Sequence, residues 1–134
     1  MTDVRLDIEA IITEAVATAV EAVYPTVHIT GEYTPTPPAF PCVFILELNN
    51  YTNSQDMSGD TTHRNVLFEI DVFSNLRNGK KEQCREIAAI ADGVMNRYGF
   101  FCQDLRPVPN YADASIYRMT GTYRRVIAAG DSRF

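Results

Sequence analysis

The sequence predicts an α+β domain, a two-layer sandwich in which two helices pack on one face of a mainly antiparallel sheet of four to five strands. Three observations predict it. Two segments carry apolar residues at three- and four-residue steps, two long segments alternate apolar and polar residues, and all segments follow the order α-β-β-β-α-β-β. The chain has 134 residues, 46% of them hydrophobic, so we expect a single domain over residues 1–134.

The first helix is predicted over residues 3–23, and Pro25 ends it. Its apolar positions recur at helical spacing: Ile8, Ile12, Val16, Ala19, Val20 and Val23. The opposite side is acidic, with Asp3, Asp7, Glu14 and Glu21. Such a stripe is typical of a solvated helix face, and the alternative is a surface that repels or steers a partner.

Two strands and two loops follow the first helix. Residues 27–34 alternate around Ile29 and Tyr33, and the proline-rich segment 34–41 predicts a rigid extended connection. Residues 42–49 are an almost continuous apolar run, which predicts a strand inside the sheet. Residues 51–62 are polar and more numerous than a hairpin turn needs, so they predict a long loop that becomes ordered against a neighbour.

Residues 63–74 predict a strand with one buried and one polar face. Val66, Phe68, Ile70 and Val72 alternate with a polar set that includes His63, Asn65, Glu69 and Asp71. The second helix is predicted over residues 80–98, with Gly99 as its C-terminal cap. Its apolar stripe comprises Cys84, Ile87, Ala88, Ala91, Val94, Met95 and Tyr98.

The chain closes with a short strand at 100–105, a turn at 107–110 and a long strand at 116–128. In the last strand one face is predicted to be buried and carries Tyr117, Met119, Tyr123 and Ile127. The other face is polar and carries Arg118, Thr120, Thr122 and Arg124. We interpret Tyr117, Met119, Tyr123 and Phe68 as core residues and not as a platform for stacking bases, because no basic groove accompanies them.

The net charge of −5 argues against a domain that holds nucleic acid through its phosphates. Residues 1–62 contain nine acidic residues and Arg5 as their one basic residue, a balance of −8, whereas residues 63–134 contain eight acidic and eleven basic residues, a balance of +3. The two parts either pair within one subunit or attract each other between copies of the chain.

The cysteines and the N-terminus predict a cytosolic setting. Cys42, Cys84 and Cys102 form no CxxC pair, which argues against a disulfide framework or a zinc site. Acidic and basic residues interrupt the N-terminal segment, where a signal peptide would be apolar, and no run reaches the roughly 18 apolar residues of a membrane span. We expect no membrane partner.

The sequence offers little for catalysis. His28 and His63 stand beside no nucleophile motif, and Gly79-Lys80-Lys81 lacks the first glycine and the Ser or Thr of a phosphate loop. Glu69 and Asp71 lie roughly 6 to 7 Å apart on one strand face, close enough for acid/base work or a metal. The alternative is pairing with Arg118 and Arg124 across the sheet. We predict no catalytic residues, no cofactor and no metal.

A series of short phrases in a fixed order carries a resemblance to a known family. They are Phe40-Pro41-Cys42-Val43, Val72-Phe73-Ser74-Asn75, Gly79-Lys80-Lys81, Tyr98-Gly99-Phe100, Pro107-Val108-Pro109-Asn110 and Asp113-Ala114-Ser115-Ile116-Tyr117-Arg118. Over residues 20–128 the series resembles the tail terminator or head-tail joining proteins of long-tailed bacteriophages and prophages, often labelled minor capsid proteins.

The resemblance implies a structural virion protein of the tail-neck region, assembled in the cytoplasm of a bacterial host. Its subunits would form a ring, commonly six-fold, that caps the head-proximal end of the tail tube, ends tube growth and joins the tail to a neck protein. DNA would pass through the lumen without specific binding, which an acidic protein suits because it does not grip phosphates.

Our own choice of interface residues comprises Tyr51, Asn53, Gln55, Asp56, Met57, Glu69, Asp71, Arg118 and Arg124. Three other functions stay open. They are a different ring-forming subunit of the tail tube or neck, a small enzyme built on Glu69, Asp71 and His63, and a monomeric binding module.

Overall fold

Seven elements follow one another in the predicted order and confirm the α+β class. The computed structural model describes residues 4–32, 37–55, 57, 61–109 and 114–128. The elements are α1 (Val4–Glu21), β1 (His28–Thr30), β2 (Cys42–Gln55), β3 (Thr61–Ser74), α2 (Lys80–Arg97), β4 (Phe101–Pro107) and β5 (Tyr117–Ala128). Neither helix of the described residues is long and apolar enough to cross a bilayer.

The five strands form one mixed sheet in the order β1-β2-β3-β5-β4. Three of the four pairings are antiparallel, as predicted, whereas β1 runs parallel to β2. This parallel pairing is possible because residues 31–41 provide the long crossover connection that it requires. β1 is shorter than the predicted strand over 27–34, whose last two residues lie outside the described part of the chain.

The prediction of a long loop over residues 51–62 is wrong for most of that segment. β2 continues to Gln55, β3 begins at Thr61, and the two strands remain paired up to Gln55 and Thr61. Residues 51–55 are therefore ordered within the subunit by pairing with β3, without a neighbour. Residues 56 and 58–60 lie outside the described residues.

The main core lies between the helices and one face of the sheet. Both helices turn their predicted apolar stripes inward, except at Val23, which lies beyond the end of α1 at Glu21 and is 50% exposed. β3 and β5 bury the predicted alternate positions. α2 is also held by polar contacts, since the Tyr123 hydroxyl donates to Asp92 at 3.0 Å and the Tyr24 hydroxyl donates to Glu86 at 2.7 Å. Gly121 in β5 leaves room for this packing, because a Cβ there would lie 2.9 Å from the Tyr123 ring.

The sheet face opposite the helices, here called the open face, is not uniformly polar as predicted. At one end it carries a second hydrophobic cluster of Cys42, Phe44, Phe73 and Ile116. The Phe44 and Phe73 rings meet edge to face with centroids 5.2 Å apart. The sequence analysis assigned no face to the strand residues of this cluster, and Ile116 packs on them from the segment before β5.

Candidate interaction surface

The centre of the open face holds a buried ion pair. Asp71 lies between Phe44 of β2 and Thr120 of β5 in the sheet register and is fully buried. Its Oδ1 accepts a hydrogen bond from the Thr120 hydroxyl at 2.5 Å and lies 3.2 Å from a guanidinium nitrogen of Arg118. The prediction that Asp71 is a solvated residue on a polar face is wrong, whereas its pairing with Arg118 across the sheet is confirmed.

Arg118, the basic partner of this ion pair, also contacts an aromatic ring of the second hydrophobic cluster. Its side chain is 19% exposed, and its guanidinium carbon lies 5.4 Å from the centroid of the Phe73 ring. The positive charge is thus placed between a carboxylate and an aromatic face, both of which attract it. The contact joins the second hydrophobic cluster to the charged centre of the open face.

Glu69 is the second carboxylate of this centre and is half-buried one row away, between Leu46 and Thr122 in the register. Burial raises the pKa of Glu69, and the negative charge of Asp71 raises it further, against a smaller opposite effect of Arg118 and Arg106. Asp71 Oδ2 is buried and has no hydrogen-bond donor among the described residues. A protonated Glu69 is suited to supply that donor.

We expect Glu69→Gln to stabilise the protein at neutral pH. A carboxyl whose pKa is raised in the folded state holds its proton more tightly there, so its charge costs stability as pH rises above the ordinary value of 4.5. The glutamine amide removes that charge and can donate to Asp71. Thermal unfolding should show a gain of under about 1 kcal/mol at pH 7 that disappears below pH 4.5. A variant less stable than wild type at pH 7 would contradict this account.

The described residues offer no metal or nucleophile site. No three His, Cys, Asp or Glu side chains of the described ranges come together as metal ligands. Burial raises the pKa of the Cys42 and Cys84 thiols to about 12, and it also raises that of Cys102, so these thiols stay protonated at neutral pH. His63 lies opposite Ala128 at the far end of β5, four rows from Asp71 along the sheet. The enzyme built on Glu69, Asp71 and His63 therefore has no common pocket.

The other end of the open face is apolar and exposed. Phe101, Tyr51 and Val126 expose 68%, 48% and 44% of their surface, and we call these three residues the open-face patch; Leu48, unpaired at an irregularity of β2, is 50% exposed. The register brings them together, because Phe101 lies opposite Arg124 and Arg124 opposite Leu67, while Val126 and Tyr51 both lie opposite Asn65. Exposed apolar side chains grouped in this way, with Asn65 and Arg124 between them, make this end of the face a candidate interaction surface.

The predicted interface residues fall into two groups in the structure. Glu69, Asp71, Arg118 and Arg124 share the open face, and Tyr51 joins them there at the edge of the patch. Asn53 and Gln55 lie at the distal end of β2, Met57 is fully exposed in the connection beyond it, and Asp56 lies outside the described residues. Asp71 is fully buried and paired with Arg118, so it does not itself present a surface to a partner.

Sequence reasoning missed Leu48, Phe101 and Val126. Each was assigned to a strand or to its margin, but an exposed apolar residue on a strand gives no signal that separates it from a core residue. Their exposure is visible only once the helices are seen to cover the other face.

No protein-family model matches the sequence, and no curated protein matches it. Among solved structures, a chain described as "Virion of native gene transfer agent (GTA) particle" superposes with a TM-score of 0.66. The superposition covers 96% of this chain and 100% of that chain, at 12% sequence identity. The two chains share one fold. The virion chain therefore matches this one from end to end, helices and sheet together, and at this identity the likeness concerns the fold.

Proposed function

We propose that this protein is a structural subunit of a phage-type virion. It forms a ring at the head-proximal end of the tail tube, ends tube growth and joins the tail to the neck. The observation that carries the proposal is the end-to-end match in fold with a chain of a gene transfer agent virion. The ordered series of phrases from Phe40 to Arg118 supports the narrower position at the tail terminus.

Three observations on the subunit suit this role. The open-face patch gives the protein an apolar surface for assembly, and the described residues hold no metal cluster or activated thiol that would suggest an enzyme. The net charge of −5 suits a conduit through which DNA slides to and from the head. The tail tube and a neck protein are the proposed partners.

A second position in the same particle is the main alternative, because the description of the matching chain names the virion and no location within it. A tail-tube subunit or a neck adaptor would share the size and the assembly surface.

Electron microscopy of particles made without this protein distinguishes between these positions. A terminator predicts tails of uncontrolled length, or tails that fail to join filled heads, in electron micrographs. Restoring the gene in trans is the control and should return fixed-length, joined tails. Absence of any tail tube would indicate a tube subunit instead, and normal joined tails would contradict all three positions.

A further inference from the structure

We propose that the open-face patch of one subunit binds the outer face of α1 of a second copy. The inference rests on the proposed function for its biological setting, but the contact itself is expected to form in the purified protein without other virion components. The outer face of α1 is defined here by Ala10, Glu14, Ala17, Thr18 and Glu21, which point away from the core. This pairing joins two different surfaces, as a contact that closes into a ring requires.

Charge complementarity is the first argument. Arg124 lies in the row between Leu67 and Phe101, is exposed, and has no ion pair with a described residue. On α1, Glu14 and Glu21 are likewise exposed and form no ion pair with a described residue. Arg124 stands on the open face and Glu14 on the outer side of the helix layer, so the core of the subunit separates them. These charges can meet only between two copies.

Shape is the second argument. The open-face patch presents large side chains, with Phe101 the most exposed at 68%. The α1 surface presents small ones, and beside it a groove of about 790 Å³ runs between α1 and α2. The groove is lined in part by Ala15, Ala19 and Ala22, with Arg97 and Tyr98 from the end of α2. An aromatic ring that enters such a groove loses water, which is how interface anchors bind.

The distribution of charge along the chain agrees with this pairing. Residues 1–62, which include α1, carry a balance of −8, and residues 63–134, which include β4 and β5, carry +3. A contact between two open-face patches would instead place two copies of Arg124 in one interface and bring no acidic residue of the patch to neutralise them. Unneutralised like charges disfavour that symmetric dimer.

A charge swap tests the contact in the purified, full-length protein. Analytical ultracentrifugation over a concentration series would compare wild type with Arg124→Glu, Glu14→Arg and the double variant. Each single change places like charges opposite each other and should weaken self-association roughly ten- to hundredfold. The double variant restores opposite charges and should recover most of the loss. Arg85→Glu, an exposed change on α2 outside both surfaces, is the matched control and should associate like wild type.

Cross-linking separates the two-surface contact from a symmetric one. With Cys102→Ser as background, Thr18→Cys and Val126→Cys would be made in separate chains. A thiol-reactive linker should join the two variants in a mixture and leave each alone largely uncoupled. Efficient coupling of Val126→Cys to itself would overturn the proposal in favour of an open-face dimer.

Three results overturn the inference. They are a wild-type chain that stays monomeric at millimolar concentration, an Arg124→Glu variant that associates like wild type, and a double variant without recovery. None of these results depends on tail length in particles, so a failed contact and a failed assignment to the tail terminus remain distinguishable.

Discussion

Replacing Ile70 with aspartate is expected to prevent stable folding. Ile70 is 3% exposed on the helix-facing side of β3, opposite Ile45 of β2 and Gly121 of β5. A carboxylate there would be buried without a partner, at a cost of about 4 kcal/mol or more. Because small domains have about 5 to 15 kcal/mol of stability in total, most of the variant should be unfolded or insoluble. Soluble yield and circular dichroism during heating measure the effect.

Val126→Asp is the matched control for this experiment. It is the same kind of change on a central strand, but Val126 is 44% exposed on the open face. Its melting temperature should stay within a few degrees of wild type. If Ile70→Asp folded normally while Val126→Asp did not, the assignment of the two sheet faces would be reversed.

Asp71→Ala is expected to have the second largest effect. The change removes the partner of Arg118 and the acceptor of the Thr120 hydroxyl, and Thr120 is 3% exposed. A guanidinium held against the sheet without its carboxylate costs about 3 kcal/mol, which corresponds to roughly 10 °C in melting temperature for a domain of this size. Differential scanning calorimetry measures both quantities.

Asp71→Asn distinguishes charge from hydrogen bonding at this position. The amide keeps an acceptor for Thr120 but no longer neutralises Arg118, so its loss of stability should fall between wild type and Asp71→Ala. A double-mutant cycle with Arg118→Met should give a coupling above about 1 kcal/mol. Additive effects would show that the two side chains do not support each other.

Much of the fold could be predicted because it is encoded in local periodicity. The stripe from Ile8 to Val20 and the alternation from Val66 to Val72 each reflect one buried and one exposed side, and the structure confirms both. The helix-facing positions of β5 follow the same rule. Where an element meets the core on one side only, its hydrophobic pattern shows which side is buried.

The failures have a common physical cause. Residues 51–55 and 61–62 pair as strands through backbone hydrogen bonds, which do not depend on an apolar side-chain pattern, so their polar sequence resembles a loop. Asp71 is buried by Arg118 and by residues distant in sequence, which no local pattern records. The parallel direction of β1 likewise depends on the path of a connection and not on the composition of the strand.

The irregularity in β2 between Glu47 and Asn49 affects how the hairpin can evolve. Before it, odd-numbered residues such as Ile45 face the helices, and beyond it Tyr51 faces the open side, opposite Asn65. The extra residue stands between Glu47, opposite Phe68, and Asn49, opposite Leu67, so deleting Leu48 would give a regular ladder and leave Asn49 and Tyr51 on the same face. A single-residue insertion or deletion at a regular position of β2 would instead invert the side chains beyond it, so homologous hairpins should vary in length at this irregularity.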